Sequence, residues 1–245
     1  MATETRPLLE HLIDSLRDVR VESVYVGAFV TAVKSNHCGL SSTLRDPCGS
    51  EGAPLVRDAG DLCGMEARVL AAYALSDNQL EASIGMAAIN SALPLPAAGI
   101  TSRNASDLIR ERGQNRRVAV IGHFPFVPDL EPLTARLMIF EKRLRKGDLP
   151  SQKIPDLLPE ADVVALSGTT LINHTFEEIR RYIRKDAYVL MLGPSTPLSP
   201  LLFEYGIDAL SGTVVKDEVA LIAGLSQGAT FRQLRGKSLV VLARS

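Results

Sequence analysis

The spacing of hydrophobic positions changes near residue 104. At the start, Leu8, Leu9, Leu12, Ile13 and Leu16 recur on one helical face. VESVYVGAFVTAVKS then reads as strand, because β-branched residues are dense, and Gly27 marks a bend or bulge within it. Turn formers fill NHCGLSSTLRDPCGSEGAP, Asn36 to Pro54, with SSTL as a second short strand. Helical spacing resumes in CGMEARVLAAYAL. Ser76-Asp77 then predicts a stop and a new N-cap before QLEASIGMAAINSAL, which Pro94 and Pro96 end. Residues 1–103 therefore predict a small α+β domain.

The weakly patterned PLPAAGITSRNAS leads to Ser106, placed to cap a short helix, DLIRERG. Apolar runs then alternate with helices. RVAVIG, LMIFEK, DVVALSG, YVLMLG and IDALSGTVV read as strands. NHTFEEIRRYIRK and SPLLFEYG read as helices between the later ones, and KDEVALIAGLSQG closes the pattern. KSLVVLARS adds a last strand or a tail. The expected fold class is α/β, with a Rossmann-like parallel sheet domain over 104–245, covered on both faces. One connection departs from that pattern: HFPFVPDLEPLTAR holds three prolines in fourteen residues. It has room for a helical turn where a crossover helix is usual.

Composition narrows the partners. A net charge of −1 gives no global field to attract nucleic acid or an anionic membrane. The basic runs RERGQNRR, EKRLRK and RRYIRK are interleaved with acids or apolar residues and read as solvated helix ends and loop rims. Three cysteines, Cys38, Cys48 and Cys63, without CxxC, fit a cytoplasmic setting. MATETRPLLEHLIDSL lacks the pattern of a signal peptide. The longest uncharged stretch, Ala82 to Ser102, is broken by Asn90, Pro94 and Pro96, so no membrane span is expected.

In an open parallel sheet, ligands bind beyond the carboxyl ends of the strands. That rule selects Gly122–Phe126, Glu141-Lys142, Ser167–Asn173 and Gly193–Pro197. In GPSTPLSP, Ser199-Pro200 is a helix start, while Pro194 and Pro197 lock φ and reduce the freedom lost on binding. The backbone N–H groups of Ser195, Thr196 and Leu198 would then be free to face polar or anionic ligand atoms, with Gly193 and Pro194 beside them as ligand-binding positions of the same loop. Ser167, Thr169 and Thr170 offer hydroxyls, and Asn173 is placed to cap the next helix. His123, directly after the first strand, suits acid–base work or metal ligation. His174 falls in a first helical turn. Glu141 stands where dinucleotide folds place an acid, but GxGxxG and Walker loops are absent, so conventional NAD is not expected. His37, Cys38, Cys48 and Cys63 match no closed zinc spacing.

The run LGPSTPLSPLLFEYGIDALSGTVV, with SGTTLINHTFEEI and VIGHFPF before it, resembles the heavy-metal chelation family, a domain of unknown function, from Asn104 to the C-terminus. GAFVTAV, CGLSSTL and GMAAINSAL resemble its usual companion, an enolase N-terminal-like α+β domain. The resemblance implies a cleft between the two domains. It also implies a role in chelating heavy metals, or in making and breaking pterin-, flavin- or siderophore-like chelators. Its site would use His123, Thr169, Thr170, Asn173, Pro194, Ser195 and Thr196, closed by the Asn36–Gly39 turn, Asp77 and Asn90. The expected partner is a small molecule. The leading expectation is an enzyme of condensation, hydrolysis or group transfer. In it, His123 moves a proton, Ser195 and Thr196 hold anionic oxygens, and Asn173 or Thr170 orients the substrate. Two alternatives stand beside it: a non-catalytic carrier of a divalent heavy metal or its chelate, and an S-adenosylmethionine- or nucleotide-binding transferase relative. The tail from Gly236 to Ser245 completes the sheet or pairs with a second copy in a homodimer.

Overall fold

The computed structural model describes residues 7–45, 56–96 and 99–244. Cys48 and Pro54 lie outside them. Helix α1, Pro7–Asp14, buries Leu8, Leu9, Leu12 and Ile13, the face its spacing predicts. VESVYVGAFVTAVKS is a hairpin and not one bent strand: β1, Ser23–Val26, turns back into β2, Val30–Lys34. Gly27 makes the turn. Its N–H donates to the Val30 carbonyl at 3.0 Å, and a Cβ there would sit 2.8 Å from that oxygen. The next strand, β3, is Cys38–Ser42, starting ahead of SSTL and completing an antiparallel sheet in the order β1-β2-β3.

Helix α2, Ala67–Ala71, runs into a 3-10 turn at Ala72–Leu75. Helix α3, Gln79–Ala92, is capped by Asn78, whose side chain accepts from the N–H groups of Leu80 and Glu81. Ser76 serves the cap indirectly, donating to Glu81 at 2.6 Å. Every residue of α3 from Leu80 to Ile89 is buried. A helix without a solvent face is a core helix, and its small residues let other backbones come close. Gly39 of β3 lies against it, where a Cβ would stand 2.2 Å from the Ser91 nitrogen. Ser41 donates to the Ser83 carbonyl at 2.6 Å.

The stretch read as a linker contains β4, Ile100–Thr101, so the chain joins the large sheet ahead of residue 104. Helix α4, Ala105–Gly113, is capped by Asn104 and not by Ser106, whose own N–H donates to the capping Asn104 oxygen. Then follow β5, Arg117–Ile121, a 3-10 turn at Val127–Asp129, and β6, Arg136–Glu141. The proline-rich connection thus holds a single turn, as its length requires. After β7, Leu149–Pro150, come α5, Ile154–Leu157, and β8, Val163–Ser167.

The helix expected over NHTFEEIRRYIRK is split. Helix α6, Thr169–Ile172, ends before it, and α7 covers only Phe176–Arg180. His174 between them has φ of 57°, which breaks the helix. Strand β9, Tyr188–Leu192, leads to a 3-10 helix at Pro200–Tyr205, capped by Ser199 as its sequence predicts. Strand β10, Ala209–Val215, helix α8, Glu218–Ser226, and β11, Lys237–Ala243, finish the chain.

The large sheet has the order β4-β11-β10-β9-β8-β5-β6-β7. It is parallel except where β11 pairs antiparallel with β10 and β4. KSLVVLARS is therefore a sheet strand. The fold is mixed α/β: a Rossmann-like, mostly parallel sheet with a small antiparallel sheet unit. Alternation along the strands explains the apolar runs. Val118 and Val120 face α4, while Ala119 and Ile121 face the core shared with α1, α2 and α3. The small sheet is also covered twice: Val30, Ala32, Cys38 and Leu40 pack on Leu221 and Leu225 of α8. No helix among the described residues is long and apolar enough to cross a membrane.

Asp162, just ahead of β8, ties two strand starts together. It accepts from the Arg117 backbone N–H and, bidentately, from the Arg117 guanidinium at 3.1 and 3.0 Å. Arg184 stands 3.1 Å away. The Arg117 side chain, with its N–H, holds the Asp162 carboxyl well below the usual carboxylate range. A depressed folded pKa contributes stability that is complete above the unfolded value, about 4, and lost as pH falls below it. The urea midpoints of wild type and Asp162→Asn should therefore differ by a constant amount at neutral pH and converge in acid below about pH 4. Gly39→Ala should destabilise the chain by about 1–3 kcal/mol or more in urea unfolding, because its methyl group meets α3 backbone.

Candidate functional site

From β5 the chain moves to β6 on one side, then returns to β8 on the other. This reversal opens a crevice beyond the carboxyl ends of β5 and β8. Gly122 ends β5 with φ of 104°, and a Cβ there would press on Ser167 at 3.1 Å. The crevice is a cavity of about 1,020 Å³. Its walls come from the loops after β5 (Gly122, His123, Phe124), β6 (Glu141, Lys142, Arg143), β8 (Ser167 to Thr170, Asn173) and β9 (Gly193, Pro194, Ser195). The facing wall is Ser42 to Arg45 from the small sheet, with Gln79 at the start of α3. All four loops selected from the sequence reach it.

The expected site residues divide into two groups. His123, Thr169, Thr170, Asn173, Gly193, Pro194 and Ser195 line the cavity. Thr196, Asn36, Gly39, Asp77 and Asn90 do not. Gly39 is under α3, and Asn36 and Asp77 are exposed away from the lining. Asn90 joins the two sheets instead, donating to the Leu40 carbonyl at 2.8 Å and to Pro194 at 3.4 Å.

The GPSTP loop is built differently from its sequence reading. Ser195 is fully buried, and its Oγ accepts the Ser42 N–H at 2.8 Å, so it docks the small sheet. The Thr196 N–H turns back to the Gly193 carbonyl at 3.1 Å and is not free for a ligand. The Thr196 hydroxyl is buried, without a hydrogen-bond partner among the described residues. It lies 2.9 Å from where a Gly168 Cβ would be, which explains the glycine there. Gly193, with φ of 114° and open space at its Cβ position, is the part of the loop that faces the cleft.

The GTTLIN loop also spends its hydroxyls internally. Thr169 Oγ1 is 2.8 Å from Ser167 Oγ, and Thr170 donates to the Ser167 carbonyl at 2.8 Å. Asn173 caps no following helix in the predicted way; its Oδ1 accepts from the Thr175 hydroxyl at 2.7 Å and its N–H at 3.3 Å. His174 is turned away and bonds the Ala74 carbonyl at 2.8 Å. His123 meets Arg145 at 3.2 Å through Nδ1 and stands 3.7 Å from Asp148 through Nε2. Neither Arg145 nor Asp148 has a sequence signal, since both belong to a charged run that reads as any solvated loop. The Phe124 ring, stacked on Phe126 with centroids 5.4 Å apart, gives the cleft an apolar corner.

Donors for a bare heavy metal do not fit. Among the described residues, no three His, Cys, Asp or Glu side chains come together to hold an ion. Burial pushes the Cys38 thiol up to about 12, with Glu218 adding to the effect, so it stays protonated when only a thiolate would ligate. Burial, then Lys34, pushes the neighbouring His37 down.

Residues 104–244 match the family model DUF364, described as "Putative heavy-metal chelation". The chain belongs to the DUF364 family. Residues 9–93 match DUF4213, which carries the same description. An uncharacterized protein of Methanocaldococcus jannaschii is 28% identical over 148 residues. That match covers 56% of this chain and 56% of the relative, so the chain spans little more than half the relative's length. A DUF364 crystal structure from Desulfitobacterium hafniense superposes with a TM-score of 0.84 at 25% identity, covering 97% of this chain and 98% of that one. A second, from Pyrococcus horikoshii, gives 0.78 at 20% identity over the same shares and supports the fold. Both solved relatives are described as having unknown function.

The two hydroxyls of the GPSTP loop should behave oppositely. Ser195→Ala strands a part-buried N–H at Ser42 and should cost about 1–3 kcal/mol. Thr196→Val removes a hydroxyl without a partner and should cost less, or stabilise. Urea unfolding of both variants measures the contrast.

Proposed function

We propose that the DUF364 cleft binds a small, polar or anionic organic ligand, a heteroaromatic or chelating metabolite, and that heavy metal arrives as a complex of that ligand. One observation carries this reading: the cavity gathers four strand-end loops and the basic side chains of Arg45, Lys142 and Arg143 against the acids Glu141 and Glu178, yet no closed set of metal donors among the described residues. Its volume suits a pterin- or flavin-sized molecule. Backbone at Gly122 and Gly193 gives such a ligand close approach, and Phe124 offers a ring face. The small unit's helices and three antiparallel strands support the likeness to an enolase N-terminal-like cap. The free Cys38 and Cys63 support a cytoplasmic setting.

A second reading, an enzyme moving a proton through His123, is favoured by one contact: the imidazole faces Asp148, whose side chain is 2% exposed. Ser195 offers no nucleophile in that reading, being buried under Ser42. The transferase reading has only the fold behind it.

A thermal-shift panel separates these. Flavin mononucleotide, a reduced pterin, S-adenosylmethionine, NAD and divalent metal salts are each tested alone, and the flavin and pterin also with metal. A ligand at a hundred times its Kd adds about 2.7 kcal/mol to stability. Stabilisation by the organic ligand, deepened by metal, is the expected result. Stoichiometric stabilisation by bare metal alone would overturn it. Chemical change of the bound organic ligand would move the assignment to the enzyme.

A further inference from the structure

His123 follows β5 beside a turn that brings a charged group to each of its ring nitrogens. Arg145 Nη1 stands 3.2 Å from His123 Nδ1. A guanidinium only donates and never loses its proton in proteins. Nδ1 must therefore be the acceptor, and the neutral ring carries its proton on Nε2. That nitrogen faces Asp148 Oδ1 at 3.7 Å, longer than a direct hydrogen bond but within electrostatic reach. Asp148 is itself fixed. Its Oδ2 accepts the Arg145 N–H at 2.8 Å, and Gly147, with φ of 95°, closes the turn between them. One short segment thus supplies a carboxylate facing Nε2 and a cation covering the Nδ1 lone pair.

We infer that Asp148 is a positioning residue for His123 and that Arg145 is a latch on its basic nitrogen, released when a ligand oxyanion takes the guanidinium. This rests on the reading of the cleft as a ligand site. The chemistry of release follows from the groups present. Arg145 is exposed, so leaving His123 requires little repacking. Guanidinium pairs bidentately with phosphate or carboxylate and does so more strongly than with a neutral ring nitrogen. Lys142 and Arg143, from the same segment, line the cavity, and Arg45 faces them across it. An anion drawn there meets Arg145 beside the rim, and the base is uncovered only when the ligand is in place.

The test needs no knowledge of the natural ligand. The full chain is labelled with 15N-histidine and its imidazole nitrogens are read by NMR at pH 8.5, with His123 assigned by its loss in His123→Gln. The wild type should show the Nε2–H tautomer, with Nδ1 shifted upfield by the accepted hydrogen bond. Arg145→Ala should move Nδ1 downfield. Saturating inorganic phosphate or malonate should move the wild type to the same position and leave Arg145→Ala unchanged. The two anions tell a phosphate latch from a carboxylate one. Asp148→Asn, which keeps an oxygen for the Arg145 N–H, should shift part of the His123 population to the Nδ1–H tautomer. An Nδ1–H ring in the wild type, coincident spectra of wild type and Arg145→Ala, or a wild type indifferent to both anions would overturn the inference. The cleft reading would survive that result if the organic ligands of the thermal panel still bind.

Discussion

A helix with no side left for water holds this protein together. Helix α3 is buried all round, which requires structure on every face of it. The small sheet takes one side, where β3 comes close enough that Gly39 cannot carry a side chain. The turn after α2 takes another, at Gly85, where a Cβ would stand 1.9 Å from the Ala74 nitrogen. The remaining surface joins the core under the parallel sheet, through Ala87, Ala88 and Ile89. Removing the small unit would therefore expose the large sheet as well.

The cleft inherits its shape from that packing. Its far wall, Ser42 to Arg45, is the strand end that α3 props up, and Ser42 is bonded to the GPSTP loop through Ser195. Asn90 of α3 reaches the same loop at Pro194. The proline-stiffened segment thus acts as a socket between two units, with only Gly193, Pro194 and one edge of Ser195 turned to the cavity. Its rigidity serves the joint first and the cavity wall second. The helix α8 behind the small sheet, packed on Val30 and Leu40, reinforces this from the other half of the chain.

Much of this was legible in the amino-acid sequence, for identifiable reasons. Strands buried on both faces leave unbroken apolar runs, so β5, β6, β8, β9 and β10 stand out. The loops after them follow from the direction of a parallel sheet, and they converge as that rule requires. What escaped depended on contacts distant in sequence. The hairpin at Gly27 looks like one strand because both arms are equally β-branched. The break at His174 comes from a left-handed residue without a glycine to announce it. Ser195 and Thr196 look free because nothing local shows that Ser42 or Gly168 will press on them. Asp148 and Arg145 belong to a charged run, and only the fold brings them to His123.

The short connection from β5 to β6 has one more consequence. In a dinucleotide-binding unit, the first strand hands over to a helix whose amino end attracts phosphate with fixed backbone dipoles. Here prolines replace that helix with a single turn. Positive charge at the crevice therefore sits on the ends of long side chains, Arg45, Lys142 and Arg143, set beside Glu141 and Glu178, and not on the scaffold. Charges of that kind are mobile and face dissolved ions, which screen them within a Debye length of about 8 Å at physiological ionic strength. Attraction of an anionic guest would then rise and fall with the salt around the protein. The cleft would be quick to fill in dilute solution and quick to release its contents in brine.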